Sequence, residues 1–197
     1  VIRVTTGDLT LNDGTAADDN TAISAHGTGN ILLETIDGSI TANEDVLSGS
    51  GDITVLASDS IEFTAEADIT TSLGGTIDLE ATTGSFVMDA EAGLNTVNGD
   101  IRIVVGDDIL DQVVVGDIVA SNANVSIYTT GSVLDTLDSD NEVEANGLLI
   151  VAGKGVGLLA GNSLSQAANS FETAVDTLSI WVKGSDGINI LEDDALV

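Results

Sequence analysis

From Gly51 to Val151, polar and apolar residues alternate in a short phrase that returns every 24 residues. The phrase is a small residue, a polar one, an apolar one, a variable one and a second apolar one. It reads Gly51-Asp52-Ile53-Thr54-Val55, Gly75-Thr76-Ile77-Asp78-Leu79, Gly99-Asp100-Ile101-Arg102-Ile103, Ala123-Asn124-Val125-Ser126-Ile127 and Gly147-Leu148-Leu149-Ile150-Val151. Alternation over so few residues predicts a short strand with one apolar face. Recurrence at a fixed period predicts a solenoid whose strands stack turn on turn. Ile53, Ile77, Ile101, Val125 and Leu149 are then expected in one buried column, and Val55, Leu79, Ile103, Ile127 and Val151 in the next.

The phrase also occurs upstream as Gly7-Asp8-Leu9-Thr10-Leu11 and Gly29-Asn30-Ile31-Leu32-Leu33, and downstream as Asp176-Thr177-Leu178-Ser179-Ile180. Eight copies predict about eight turns, a rod of roughly 38 Å at a rung spacing of about 4.8 Å. A second apolar signal follows each phrase, as in Gly38-Ser39-Ile40, Asp59-Ser60-Ile61, Gly84-Ser85-Phe86, Asp107-Asp108-Ile109 and Gly131-Ser132-Val133. A third follows at Asp68-Ile69, Gly93-Leu94, Asp117-Ile118 and Glu142-Val143. Three short strands per turn, with no sustained helical period, describe an all-β fold, a parallel β-helix with about 24 residues per turn. Residues 1–197 read as a single β-helix segment, with a loop insertion over 153–176 and a polar loop over 13–20. Asn98, Asn122 and Asn146 recur at the corners. They are expected to tolerate left-handed backbone there and to hydrogen-bond from turn to turn.

Composition refines this picture. Aromatic residues are only 3% of the chain, which suits a core of stacked aliphatic columns. There is no cysteine, so neither a disulfide framework nor a thiolate metal site is available. Four Lys and Arg face 33 Asp and Glu, a formal net charge of -29. Such a surface repels nucleic acid and anionic membranes and attracts cations. No apolar run approaches the ~18 residues of a membrane span. The chain starts directly in strand-like Val1-Ile2-Arg3-Val4 and ends in Asp194-Ala195-Leu196-Val197, with no cap pattern at either end. It therefore reads as one section of a longer rod, its ends covered by continuing turns or by another copy, end to end.

Carboxylates crowd the second corner of each turn: Glu66 and Asp68, Asp89 and Glu91, Asp111 and Asp117, then the run from Asp135 to Glu142. Asp135, Asp138, Asp140 and Glu142 are the candidate metal ligands. They offer hard oxygens of the kind Ca²⁺ takes six to eight of, without EF-hand spacing. No cofactor is required on this reading, and Ca²⁺ is the cation these oxygens would suit. Asp107, Asp108 and Asp111 supply the paired carboxylates a glycosidase needs. However, Arg3, Arg102, Lys154 and Lys183 are scattered, and His26 has no Ser or Cys context. No convergent acid, base and binding cluster is visible, so no catalytic residue is assigned and the chain is not expected to be an enzyme. Trp181 should point outward by alternation. Burial under the 153–176 loop is the stronger expectation for so large a ring.

The stretch Gly99-Asp100-Ile101-Arg102-Ile103 through Gly106-Asp107-Asp108-Ile109-Leu110-Asp111 resembles the repeats of very large bacterial surface proteins with haemagglutinin- or adhesin-like β-helices. So does Ser165-Gln166-Ala167-Ala168-Asn169-Ser170-Phe171-Glu172-Thr173-Ala174-Val175-Asp176-Thr177-Leu178, although it lacks a proline. The resemblance implies an exported, repetitive, non-catalytic protein and carries over no site residues. The expected function is an extracellular structural or adhesive segment, a stiff rod or filament unit at the bacterial cell surface. Surface glycans are a candidate partner; nucleic acid and membrane insertion are not expected. The alternative is a β-helix that binds or cleaves carbohydrate. A row of exposed aromatics on one face would favour it, and only Tyr128 and Trp181 are candidates.

Overall fold

The computed structural model describes residues 1–14, 19–136, 140–157 and 170–197. All regular structure among them is β, and every strand pairing is parallel. The chain winds as a three-faced parallel β-solenoid. The first face stacks β1 (Ile2–Val4), β4 (Ile31–Thr35), β7 (Ile53–Ala57), β10 (Ile77–Ala81) and β13 (Ile101–Val105). It continues through the C-terminal halves of β15 (Asp117–Thr129), β17 (Val143–Ala152) and β19 (Phe171–Val182). The second face stacks β2 (Leu9–Leu11), β5 (Ile40–Ala42), β8 (Ile61–Phe63), β11 (Phe86–Met88), β14 (Val113–Val115), β16 (Val133–Asp135), β18 (Gly155–Val156) and β20 (Gly187–Ile188). The third holds β3 (Thr21–Ala25), β6 (Asp45–Ser48), β9 (Asp68–Thr71), β12 (Gly93–Thr96), the N-terminal halves of β15, β17 and β19, and β21 (Ile190–Glu192).

The alternation dictates what faces inward. Ile53, Ile77, Ile101 and Val125 stack in register, as do Val55, Leu79, Ile103 and Ile127, and all are buried. Phe63 and Phe86 from adjacent turns meet edge to face inside, their centroids 5.3 Å apart. Buried hydroxyls close the corners: Thr71 Oγ1 donates to Gly75 O, and Thr96 Oγ1 to Gly99 O. The small residue that opens each phrase is needed for close approach. A Cβ on Gly99 would lie 1.9 Å from Gly75 O, and one on Gly75 would lie 2.1 Å from Gly51 O.

A second rule sits at the strand starts. There, a side-chain acceptor on one turn takes the backbone N–H of the next. Asn30 Oδ1 accepts from Asp52 N, Asp52 Oδ1 from Thr76 N and Asp100 Oδ1 from Asn124 N, each at 2.9 Å. On the second face Asp8 caps Ser39, Ser39 caps Ser60, Ser60 caps Ser85 and Ser85 caps Gln112. On the third, Asp45 Oδ1 caps Asp68 N at 2.9 Å. Backbone amides at a strand start need a partner, and a short Asp, Asn or Ser can supply one without leaving its own strand.

Several expectations change. Six rungs keep the regular spacing of about 24 residues, from Ile31 through Ile53, Ile77, Ile101 and Val125 to Leu148, rather than eight equal turns. The flanking turns are enlarged, with Ile2 facing Leu33 and Leu148 facing Leu178. Leu9–Leu11 pairs with Ile40–Ala42 on the second face, so it is no copy of the first-face strand. In β17 the inward residues are Leu148 and Ile150, because the register shifts at the corner after Ala120; Leu149 and Val151 face outward. The second-face strand after β11 is Val113–Val115, and Ile109 is exposed in a loop. Asn98, Asn122 and Asn146 do not adopt left-handed backbone; Asn20 is the one described non-glycine residue that does. Asn122 does donate to Asn98 Oδ1 at 3.4 Å, whereas Asn146 takes part through its backbone carbonyl, which accepts from Thr177 Oγ1. Within the expected 153–176 loop, Gly155–Val156 and Phe171 onward are strands of the stack; residues 158–169 lie outside the described residues.

Candidate functional site: a buried acidic cluster

The inward column Leu11, Ala42, Phe63 is apolar, and the same course on the second face runs through Met88 and Val115 to Asp135. An aspartate thus occupies a core position. A second column, on the third face, runs Asp45, Asp68, Gly93, Asp117, Glu142, Glu172 by strand register. The two columns converge. Asp135, Glu142 and Glu172 are 6%, 2% and 3% exposed, and each brings a carboxylate oxygen within 4.8 Å of the others.

The electrostatics follow from that geometry. Burial is the largest cause of a Glu142 carboxyl pushed up to about 9. The charges of Asp135 and Glu172 contribute to that rise, and the Glu172 N–H donated to Glu142 Oε2 opposes it. Asp68, lower in the same column, is also raised, first by burial and then by Asp45, against the opposing Gly93 amide. Three carboxylates in one dry site cannot all ionise without compensation. Two agents can supply it. A proton on Glu142 makes it a donor to a neighbouring carboxylate. A hard cation would take the three oxygens as part of the larger set that Ca²⁺ requires.

Of the four ligands expected from sequence, Asp135 and Glu142 meet in this cluster. Asp140 does not join them. It is exposed at the rim of a groove of about 390 Å³, also lined by Asn141, Glu144, Leu191 and Asp193, with Glu172 in its wall. Asp138 lies outside the described residues. Glu172 was not expected. Its signal was nevertheless present, since Asp68-Ile69, Gly93-Leu94, Asp117-Ile118 and Glu142-Val143 continue as Glu172-Thr173 after a longer turn. A polar Thr173 at the inward place hides the fifth member.

The other candidate groups serve the fold. Asp111 Oδ2 accepts the N–H groups of Asp107 and Asp108, and Asp108 Oδ1 that of Leu110, so the carboxylates of Asp108 and Asp111 shape their own loop. Arg3 pairs with Glu34, Arg102 with Asp78, and Lys154 with Asp186. Lys183 Nζ lies 5.3 Å from the centre of the Trp181 ring. His26 is exposed at a turn.

No protein-family model matches the chain, and neither a curated protein nor a solved structure matches it. Among the described residues no helix is long and apolar enough to cross a membrane.

Proposed function

We propose that this chain is an extracellular structural and adhesive segment, one section of a stiff rod at the bacterial cell surface. The observation that carries the reading is the unbroken in-register ladder of the first face, from Ile2 to Val182, in which each turn pairs only with its neighbours. Such a fold devotes its sequence to length and stiffness. The commitment of loop aspartates to backbone amides and of Arg3, Arg102 and Lys154 to ion pairs supports a non-catalytic role. In this reading the acidic cluster pins the enlarged last turns together, neutralised by a proton or by Ca²⁺.

Imaging of native material with surface labelling of intact cells tests the proposal. The expected result is elongated particles, continuous with or stacked on this segment, exposed outside the cell. Compact particles confined to the cell interior would overturn it.

A further inference from the structure

The outward residues of the first face form columns too. One column runs Arg3, Glu34, Leu56, Glu80, Val104, Tyr128, Val151, Trp181 by strand register. Its first half is charged or mixed, and its last four members are Val104, Tyr128, Val151 and Trp181. Tyr128 is 36% exposed and Trp181 62%, so the ring expected under a loop is in the open. They stand two rungs apart on one line, about 9.6 Å at the usual strand spacing. The neighbouring column brings Arg102, Ser126, Leu149 and Ser179 alongside. Shallow grooves of about 390 and 460 Å³ flank the strip, the first between Arg102, Val104, Ser126 and Tyr128, the second reaching Leu149 and Ser179.

We propose that this strip binds a neutral, extended, β-linked polysaccharide lying along the solenoid axis. Two rungs is about the length of a disaccharide unit, so sugars two apart in the chain would each present a C–H face to one ring. Val151 fills the floor between the rings, and the hydroxyls of Ser126 and Ser179 lie beside the track to meet sugar hydroxyls. Charge selects against other occupants. A net charge of -29, with Asp78 and Glu80 at the strip's lower end, repels polyanionic glycans and nucleic acid and opposes a second copy of this chain. Of the basic groups at the strip, Arg102 is held by Asp78 at 2.6 Å and Lys183 Nζ lies against the Trp181 ring, 5.3 Å from its centre, so one ammonium group stands among many carboxylates and a neutral polyol is the complementary ligand. The inference gives the adhesive part of the proposed function a ligand class and rests on that part. Rod formation is scored by particle shape and glycan binding by titration, so either can fail alone.

Trp181 is the only tryptophan, so its fluorescence reports on the strip directly. The 197-residue chain is titrated with cellohexaose and chitohexaose, with polygalacturonate as the anionic control. A saturable change is expected with a neutral hexasaccharide and none with the polyanion. Tyr128→Ala should weaken that binding at least about fivefold, the loss typical of a truncated anchor residue. Trp181→Ala should abolish retention on insoluble cellulose or chitin, while Leu56→Ala, lower in the same column, should leave retention unchanged. Far-UV dichroism and melting confirm that each variant is folded. The proposal is overturned if neither hexasaccharide binds, or if the folded Tyr128 and Trp181 variants bind as the parent does. It is equally overturned if the parent sediments as a dimer that Trp181→Ala dissociates and binds no glycan.

Discussion

At the scale of single residues, the acidity of this chain has a local cause. Aspartate recurs at strand starts because a short carboxylate reaches the amide of the next turn, as Asp52 reaches Thr76 and Asp100 reaches Asn124. Glu142 follows the same rule toward Glu172 but does so in a dry site, where its proton is held up to about 9. A raised carboxyl favours the folded chain below its ordinary value near 4.5, and that contribution is lost as pH rises through about 9. Glu142→Gln should therefore stabilise the chain relative to the parent at pH 7–9, by an amount of order a few kcal/mol, and make little difference near pH 4. Thermal melting across that range reads the difference; identical pH profiles for parent and variant would sink the assignment. Calcium adds a second arm. At matched ionic strength above neutral pH, Ca²⁺ should raise the melting temperature of the parent and not of the variant if a cation neutralises the cluster. No shift in either leaves the proton as the neutralising agent. Gly99 is limited by space: Gly99→Ala sets a methyl against Gly75 O and should cost more than about 2 kcal/mol. Denaturant unfolding of the variant measures that loss.

At the scale of elements, register decides which side of each strand is core. Asp78 and Arg102, both at the fourth place of their phrase, lie side by side and pair at 2.6 Å, as the 24-residue period requires. The same period misplaces β17 by one residue, and a one-residue slip exchanges every inward and outward side chain. Leu148→Ala should accordingly cost about 2–5 kcal/mol, the usual range for a buried leucine, and Leu149→Ala less than about 1 kcal/mol. Equal losses, or the reverse order, would return the register to the simple repeat. The loop from Gly106 to Gln112 shows why the neighbouring second-face strand is displaced. Gly106 takes a φ of +79°, Asp111 gathers the amides of Asp107 and Asp108, and the strand resumes only at Val113. Local side-chain to backbone bonds outcompete the ladder there.

At the scale of the whole molecule, a net charge of -29 works against the stack. Four basic groups cannot offset it, and the ion pairs of Arg3, Arg102 and Lys154 are partly exposed and contribute little each. Self-repulsion is screened as the Debye length falls from about 30 Å at 0.01 M salt to about 8 Å at 0.15 M. The melting temperature should therefore rise with NaCl over that range, and the rise should persist in Glu142→Gln because it belongs to the exposed charges. A flat salt profile would mean that rung-to-rung capping, rather than screening, already compensates the carboxylates. The same charge bears on assembly, since sections of such a rod would approach each other more readily in salt.

The sequence by itself determined the solenoid, the three strands per turn and the inward columns of the central rungs. Each of these is written in nearest-neighbour alternation and a constant period. It also placed Asp135 and Glu142 near one another, whereas Trp181, expected under a loop, is exposed. What only the tertiary structure decided lies where turns change length. Glu172 joins the acidic cluster across an enlarged turn, so its acidic-residue pattern continues but the constant spacing does not reach it. Tyr128 and Trp181 share a column only because a shortened turn and a lengthened one intervene between them. Periodicity fixes which residues stack as long as corners are equal. Once a corner gains or loses residues, backbone hydrogen bonding between turns, rather than counting along the chain, selects the neighbours.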